Sequence, residues 1–235
     1  KVNYIGFLLL GLSAASLQLI LDRGEMEDWF SSSFIIFLNI ISVLSFLFFL
    51  INSFKSSNPL FPLDLFKDNF YLGGIIFAFL FGFILIPPFI LLPIFLTNIL
   101  GFPTYLSGTI LSCSAMGGMV VAFFMSKIIE KIGNVYTMMI GLFIYMLSNI
   151  QVSFWTIDVT ICDIIINSII RGISISIFYV PLANITYTSL PAKLRTDGAS
   201  LFQFLRTLGT GSSVAIFINL LNRFETFHFE SIRNT

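Results

Sequence analysis

Residues 69–126 contain no charged side chain, and this apolar run limits the chain to a membrane environment more strictly than any other feature of its sequence. A helix needs about 20 apolar residues to cross the hydrocarbon core of a bilayer, so the run has room for two crossings. Gly101 and Pro103 mark a break between them, because both residue types favour turns. Strands of membrane β-barrels are shorter and alternate in polarity. We therefore predict an all-α membrane protein.

The composition argues against the soluble protein classes. Hydrophobic residues make up 57% of the chain and charged residues 10%, whereas a soluble domain carries about 25% charged residues. Twelve basic and twelve acidic residues cancel, so the net charge does not favour nucleic acid as a partner. We expect the lipid bilayer to be the main environment of the chain and expect no nucleic-acid partner.

Charge-poor stretches of spanning length recur along the whole chain. We predict about seven transmembrane helices, because each stretch holds about 20 residues or more. The predicted spans are approximately residues 2–21, 34–54, 70–97, 106–127, 135–156, 159–187 and 198–221. Residues 222–235 are predicted to form an extracytoplasmic tail. The chain begins with Lys1, so we interpret it as part of a longer protein.

The distribution of basic residues predicts the orientation of these spans. Cytoplasmic loops of membrane proteins carry an excess of lysine and arginine. The loops on one side of the predicted spans hold six basic residues, namely Lys55, Lys67, Lys127, Lys131, Lys193 and Arg195. Among the short loops on the other side, only one holds a basic residue, Arg23. The side with six basic residues is predicted to be cytoplasmic, together with the N-terminal end of the chain.

Polar residues lie on one face of the sixth predicted span. Asp163, Asn167 and Arg171 follow one another at steps of four residues, which places them on one side of a helix. A charged side chain in mid-bilayer costs a few kcal/mol, so this face is expected to line a hydrated pathway or a protein interface. A structural role remains the alternative: Arg171 would tie helices together, and Asp163 would lie near the outer end of its span.

The seventh predicted span repeats this pattern with Gln203, Arg206 and Thr210. We interpret these three residues as candidates for a substrate or proton pathway. The candidates on the sixth span are Asn167, Arg171 and Asp163. The alternative for Arg206 is that its long side chain extends to the cytoplasmic interface.

Prolines interrupt the third predicted span. Pro87, Pro88 and Pro93 remove backbone hydrogen bonds and are expected to kink the helix. Interrupted helices often border transport sites in membrane carriers, although packing alone also explains a bend.

The residues do not support an enzyme. Cys113 and Cys162 match no metal-ligand spacing, and the one histidine, His228, lies in the predicted tail. The catalytic motifs of metalloproteases, hydrolases and nucleotide-binding enzymes are not present in the sequence. We expect neither a metal nor a cofactor.

Several short segments, in the same order along the chain, resemble one family. They are Leu21-Asp22-Arg23-Gly24, Asp28-Trp29-Phe30-Ser31, Asp64-Leu65-Phe66-Lys67, Pro181-Leu182, Leu190-Pro191 and Phe204 with Arg206-Thr207-Leu208-Gly209. This pattern is similar to that of the EmrB/QacA-type multidrug exporters, the fourteen-helix drug:proton antiporters of the major facilitator superfamily. The resemblance implies a partial major facilitator fold, namely helices seven to thirteen in the C-terminal half of such a protein.

The resemblance also implies a function and partners. It implies proton-driven efflux of hydrophobic drugs by alternating access, in the inner membrane, with a periplasmic adaptor and an outer-membrane channel in Gram-negative members. For the motif Asp22, Arg23, Gly24, Asp28 and Trp29 it implies a lid or an adaptor contact, and the alternative is an interfacial turn anchored by Trp29.

Two features depart from the family pattern. Arg171-Gly172 stands where close members have Gln-Gly, and the segments that handle protons in the first six helices are not part of this chain. A truncated or decayed membrane remnant without transport activity therefore stays as the alternative function.

Overall fold

The computed structural model of the chain describes residues 3–56, 59–156 and 159–233, with side chains as far as residue 221. Residue 2 of the first predicted span and the side chains of the predicted tail lie outside the described residues. The described part consists of helices and turns and contains no strand, which confirms the all-α fold class. The helices are α1 (Tyr4–Arg23), α2 (Ser33–Lys55), α3 (Asn69–Leu80), α4 (Pro87–Ile94), α5 (Thr104–Ile132), α6 (Asn134–Ser153), α7 (Ile161–Thr188) and α8 (Arg195–Arg233).

In the described part of the chain, 7 helical stretches are long and apolar enough to cross a membrane. One of them, Asn69–Ile99, combines α3 and α4 with two π-helical turns, Phe81–Leu85 and Phe95–Ile99. Large apolar side chains such as Phe37, Phe123 and Phe143 remain exposed along these helices. A protein surface this rich in apolar side chains is stable only in contact with lipid. The chain is therefore a multi-pass membrane protein.

The last helix is longer than its predicted span. The membrane-crossing stretch ends at Leu221, whereas α8 continues to Arg233. Residues 222–233 contain neither glycine nor proline, so no residue in this segment interrupts the backbone hydrogen bonds of the helix.

The chain folds as two compact units. The first unit consists of Lys1–Pro87 and Leu190–Thr235, and the second unit consists of Pro88–Ser189. Each unit has its own packing and its own polar side chains, described in turn below.

In the first unit, α1 and α2 form a hairpin joined by a reciprocal pair of serine hydrogen bonds. Ser13 Oγ donates to the Ser42 carbonyl at 3.0 Å, and Ser42 Oγ donates to the Ser13 carbonyl at 3.1 Å. Small hydroxyl residues allow two helices to approach closely inside a bilayer and provide hydrogen bonds between them. The hairpin thus needs no large apolar side chain at this crossing.

Also in the first unit, α3 and its π-helical turn lie directly against α8. A Cβ atom at Gly82 would overlap the Arg206 carbonyl, and one at Gly209 would overlap the Phe79 carbonyl. Neither Pro87 nor Pro88 has an N–H, so the Phe83 carbonyl finds no donor at the next helical or π-helical position. The hydroxyl of Ser213 donates to this carbonyl instead, which stabilises the interrupted helix.

In the second unit, α7 packs between α5 and α6, which contact each other at few positions. A buried apolar cluster of Leu92, Leu96, Ile110 and Ile164 joins α4 and its following turn to α5 and α7. Further along α5 and α7, glycine allows the two helices to approach closely: a Cβ atom at Gly172 would overlap the Ser114 carbonyl. This close packing positions the polar face of α7.

Candidate functional site

Asn167 is the centre of a buried polar cluster in the second unit. It lies on α7 with no exposed surface. Its Nδ2 donates to the Ser148 carbonyl at 2.9 Å and to Gln151 Oε1 at 3.0 Å, both on α6. In return, Ser148 Oγ donates to Asn167 Oδ1 at 3.2 Å. One amide side chain therefore connects α7 to α6 through three hydrogen bonds.

Arg171 lies one turn further along α7 and extends this cluster. Its side chain is also buried, with 2% of its surface exposed. Nη2 donates to Asn167 Oδ1 at 3.3 Å, and Nη1 donates to the Pro88 carbonyl at 3.4 Å. Among the described residues, Nε has no hydrogen-bond partner and no carboxylate forms a salt bridge with the guanidinium. Within the part of the chain that the structure describes, the groups that accept hydrogen bonds from this buried cation are neutral.

Asp163 lies apart from this cluster, in the first turn of α7, and is exposed. The hydroxyl of Thr160 donates to its carboxylate at 2.6 Å, and its own backbone N–H donates to Thr160 Oγ1 at 3.2 Å. This exchange caps the start of α7. The structure therefore brings Asn167 and Arg171 together and places Asp163 at the helix end.

In the first unit, α8 brings Gln203, Arg206 and Thr210 together on one side. Arg206 Nε donates to Gln203 Oε1 at 3.2 Å, and Thr210 Oγ1 donates to the Arg206 carbonyl at 3.0 Å. Gln203 is exposed, whereas Arg206 and Thr210 are half-buried. A polar side chain exposed on a membrane-spanning helix faces water or another part of the protein, because lipid cannot satisfy its hydrogen bonds.

The structure adds polar residues that sequence reasoning missed. On α1, Gln18 Nε2 donates to the Gly211 carbonyl of α8 at 3.1 Å and to Asp22 Oδ1 at 2.9 Å. On α6, Ser148 and Gln151 bind Asn167 as described above. A signal for Ser148 was present: the small or polar residues Thr137, Gly141, Tyr145 and Ser148 recur at steps of four, four and three residues and form the buried face of α6.

The motif between α1 and α2 forms a compact turn. Asp28 and Trp29 both adopt positive φ angles of 51°, and the Trp29 N–H donates to the Gly24 carbonyl at 2.7 Å. The indole N–H of Trp29 donates to Glu25 Oε2 at 2.9 Å. A Cβ atom at Gly24 would lie 2.7 Å from both the Ile20 carbonyl and the indole ring, so only glycine fits here. Asp22 accepts the hydrogen bond from Gln18, and Arg23 ends α1.

In the part of the chain that the structure describes, no group of three or more histidine, cysteine, aspartate or glutamate residues is arranged to hold a metal ion. The side chains that the structure brings together, Asn167 with Arg171 on α7 and the group around Arg206 on α8, are amides, a hydroxyl and guanidinium groups. Such groups bind and position molecules through hydrogen bonds. The chemistry of both polar faces is therefore suited to recognising a ligand.

Comparison with known proteins assigns the chain to a family. The profile of the Major Facilitator Superfamily matches residues 3–214. The chain is 31% identical over its whole length to the probable multidrug resistance protein EmrY of Escherichia coli, covering 46% of that protein. It is 29% identical to the multidrug export protein EmrB of Haemophilus influenzae, with 92% of the chain matched to 43% of the relative.

A third relative is the fatty acid resistance protein FarB of Neisseria gonorrhoeae, with 29% identity over 96% of the chain and 45% of the relative. The chain thus spans about half the length of the curated relatives it matches. Relatives named EmrB and EmrY confirm the resemblance to EmrB-type exporters that the sequence segments indicate. Because the superfamily profile covers nearly all of the described spans, the chain belongs to the Major Facilitator Superfamily.

Proposed function

We propose that this chain is part of a membrane transporter that exports hydrophobic small molecules by proton-driven alternating access. Its family membership and its relatives named for multidrug export support this function. The chain covers less than half of those relatives, so the complete transport pathway belongs to a longer protein. In alternating access, two halves of a carrier expose a central site to one side of the membrane and then to the other.

The observation that carries this proposal is the polar group Gln203, Arg206 and Thr210 on α8. It lies within the stretch Ala192–Leu221, which is otherwise apolar enough to cross a membrane. Gln203 is exposed in the structure, and the two other side chains are half-buried. Exposure of an amide and a guanidinium to hydrocarbon is costly, so we propose that this face lines the transport pathway.

Orientation and partners complete the proposal. The excess of lysine and arginine in one set of loops supports a cytoplasmic N-terminal end in the inner membrane.

We also propose that a periplasmic adaptor and an outer-membrane channel work with the full transporter. Asp163 is proposed to contribute to proton movement. The compact turn of Gly24 and Trp29 is our proposed contact for the adaptor or a lid. A remnant without transport activity is not favoured, because the match to the transporter family and to relatives named for multidrug export extends over nearly the whole chain.

The test is an Arg206→Ala substitution in the full-length gene, expressed in cells that lack their own multidrug exporters. Loss of the guanidinium removes the hydrogen bond to Gln203 and the positive charge of the pathway. We expect resistance to fall at least about tenfold, which corresponds to the loss of one charge-assisted hydrogen bond in the transport cycle. The readouts are drug susceptibility and the amount of protein in the membrane.

The matched control is Arg195→Ala, because Arg195 is exposed and donates to the Leu190 carbonyl outside the polar face. This variant is expected to keep wild-type resistance. Wild-type resistance of Arg206→Ala at a normal protein level would remove Arg206 from the mechanism. Absence of resistance in cells with the wild-type protein would remove the export function itself.

A further inference from the structure

The charge of the buried Arg171 guanidinium is not neutralised by an acidic side chain in the described part of the chain. We propose that a small monovalent inorganic anion, such as chloride, binds between the Nε edge of this guanidinium and the hydroxyl of Ser168. The anion is a resident ion that stabilises the second unit. The proposal is therefore independent of the export function and of its substrates.

The acidic side chains of the second unit do not reach Arg171. Those that the structure describes are Asp163 and Glu130. Asp163 precedes Arg171 by two turns of α7, about 12 Å along the helix axis, and its carboxylate accepts a hydrogen bond from Thr160. Glu130 is exposed near the end of α5, whereas Arg171 is 2% exposed. Burial of an unpaired ion is unfavourable, so an anion from outside the chain would stabilise the guanidinium.

Arg171 also has a hydrogen-bond donor that its neighbours do not satisfy. A guanidinium has five N–H groups in a planar fork. Nη2 donates to Asn167 Oδ1 at 3.3 Å and Nη1 donates to the Pro88 carbonyl at 3.4 Å, both longer than typical bonds of N–H donors. Nε is buried and finds no partner among the described residues. Nε and the adjacent terminal nitrogen present parallel N–H groups, which can hold one anion between them.

A second buried donor without a partner lies beside the guanidinium. Ser168 is one turn before Arg171 on α7, it is 1% exposed, and its hydroxyl has no hydrogen-bond partner in the described part of the chain. Long side chains in a helix point back over the preceding turn, and the contact of Arg171 with Asn167 shows this direction. Because Ser168 and Arg171 are separated by only about 60° around the helix axis, the hydroxyl and the guanidinium share one side of α7.

Other buried hydroxyls of α7 show that the state of Ser168 is unusual for this helix. Ser174 donates to the Arg171 carbonyl at 2.7 Å, and Thr186 donates to the Leu182 carbonyl at 2.7 Å. Serine and threonine normally form such bonds to the preceding turn. A buried hydroxyl without a bond is unfavourable, so an anion that accepts from Ser168 would remove this cost as well.

Burial limits the size and the charge of the occupant. Asn167, Ser168 and Arg171 are 0%, 1% and 2% exposed, and the Pro88 carbonyl of α4 contacts Nη1. This chain alone encloses these groups, so an occupant larger than an ion would have to displace helices. One guanidinium neutralises one negative charge. Enclosure and charge together favour a small monovalent anion over sulfate, a phosphate group or an amphiphile.

The experiment measures the thermal unfolding midpoint of the purified full-length protein in a nonionic detergent, while chloride replaces gluconate at constant ionic strength. An ion that binds only the folded state raises this midpoint. We expect the wild-type midpoint to rise by about 2 °C or more at an about tenfold excess of chloride over its dissociation constant. Bromide has the same charge and a similar size and is expected to act in the same way, whereas sulfate is not.

Two substitutions test the two donors. Arg171→Gln removes the charge and is expected to abolish the effect of chloride. Ser168→Ala keeps the charge and is expected to raise the chloride concentration of half-maximal stabilisation about tenfold, because one hydrogen bond to an ion is lost. Without a bound anion, Ser168→Ala would only remove an unpaired hydroxyl, and the protein would become more stable at every chloride concentration.

Ser174→Ala is the matched control for Ser168→Ala. It is the same substitution at a buried serine of the same helix, one turn beyond Arg171, and its hydroxyl already donates to a backbone carbonyl. The half-maximal chloride concentration is expected to change less than about twofold in this variant.

Several results would overturn the proposal. They are a wild-type midpoint that does not respond to chloride or that rises equally in sulfate, a wild-type chloride response in a folded Arg171→Gln variant, and an unchanged half-maximal concentration in Ser168→Ala. Stabilisation of the wild-type protein by dihexanoylphosphatidylglycerol and not by chloride would assign the guanidinium to a lipid phosphate and also overturn it. If Arg171→Gln does not fold, the series of anions on the wild-type protein and the Ser168→Ala variant decide the question.

Discussion

Gly172→Ala is expected to destabilise the second unit by about 3 kcal/mol, because the added methyl group has no space. Its Cβ atom would overlap the Ser114 carbonyl of α5, which is backbone and cannot move without shifting the helix. α5 and α7 would have to separate at this crossing, and Gly118 and Ser176 nearby would lose their contact as well. The measurement is the midpoint of thermal unfolding of the full-length protein in detergent.

The control for this prediction is Gly108→Ala on α5. A Cβ atom at Gly108 would meet nothing within 4 Å, and glycine inside a helix is less stable than alanine by about 1 kcal/mol. This variant is expected to unfold at the wild-type temperature or slightly above it. If Gly172→Ala behaved like Gly108→Ala, the close packing of α5 against α7 in this structure would be incorrect.

Asn167→Leu is expected to cost about 2–4 kcal/mol of stability and to reduce export. Leucine has a similar volume, so the change removes the hydrogen bonds while it preserves the packing. The Ser148 hydroxyl and Arg171 Nη2 would lose their acceptor, and the Ser148 carbonyl would lose a donor. Thermal unfolding in detergent and drug susceptibility of cells with the full-length variant are the two measurements.

Asn184→Leu provides the matched comparison on the same helix. Asn184 is exposed and donates one hydrogen bond to Asn134 Oδ1 at 3.2 Å, so its loss is expected to cost less than about 1 kcal/mol. Equal losses of stability in the two variants would show that Asn167 is not the centre of a buried network.

Much of the fold could be predicted from local sequence, because lipid imposes a simple length rule on each span. The break between the third and fourth spans is a clear case. Gly101 adopts a φ angle of 67°, which glycine reaches without strain, and Pro103 precedes the first turn of α5. The prolines near residue 87 predicted a kink, but the form of the interruption could not be predicted. It is a π-helical turn, and its Phe83 carbonyl is satisfied by Ser213, a residue distant in sequence.

The candidate site could likewise be predicted only in part from the sequence. The spacing of Asn167 and Arg171 predicted a shared helix face, and the structure places their side chains in contact. The residues of α6 that meet that face depend on how the two helices pack. The spacing of small and polar residues marked Ser148 as part of the buried face of α6, but it did not identify Ser148 or Gln151 as partners of Asn167. Asp163 belongs to the same stripe by spacing, yet its hydrogen bonds are made with Thr160 at the helix end.

We propose that the polar face of α8 lines an aqueous transport pathway, and this proposal can be tested by thiol chemistry. The most direct measurement is the reaction of a cysteine at position 203 with a water-soluble thiol reagent, in the full-length protein with Cys113 and Cys162 replaced by serine. Phe217, an exposed apolar residue of the same helix, provides the lipid-facing comparison. Gln203→Cys is expected to react rapidly, Phe217→Cys is expected not to react, and a transported compound is expected to slow the reaction at position 203. If the cysteine at position 203 were unreactive and the one at position 217 reactive, the polar face of α8 would not line an aqueous pathway.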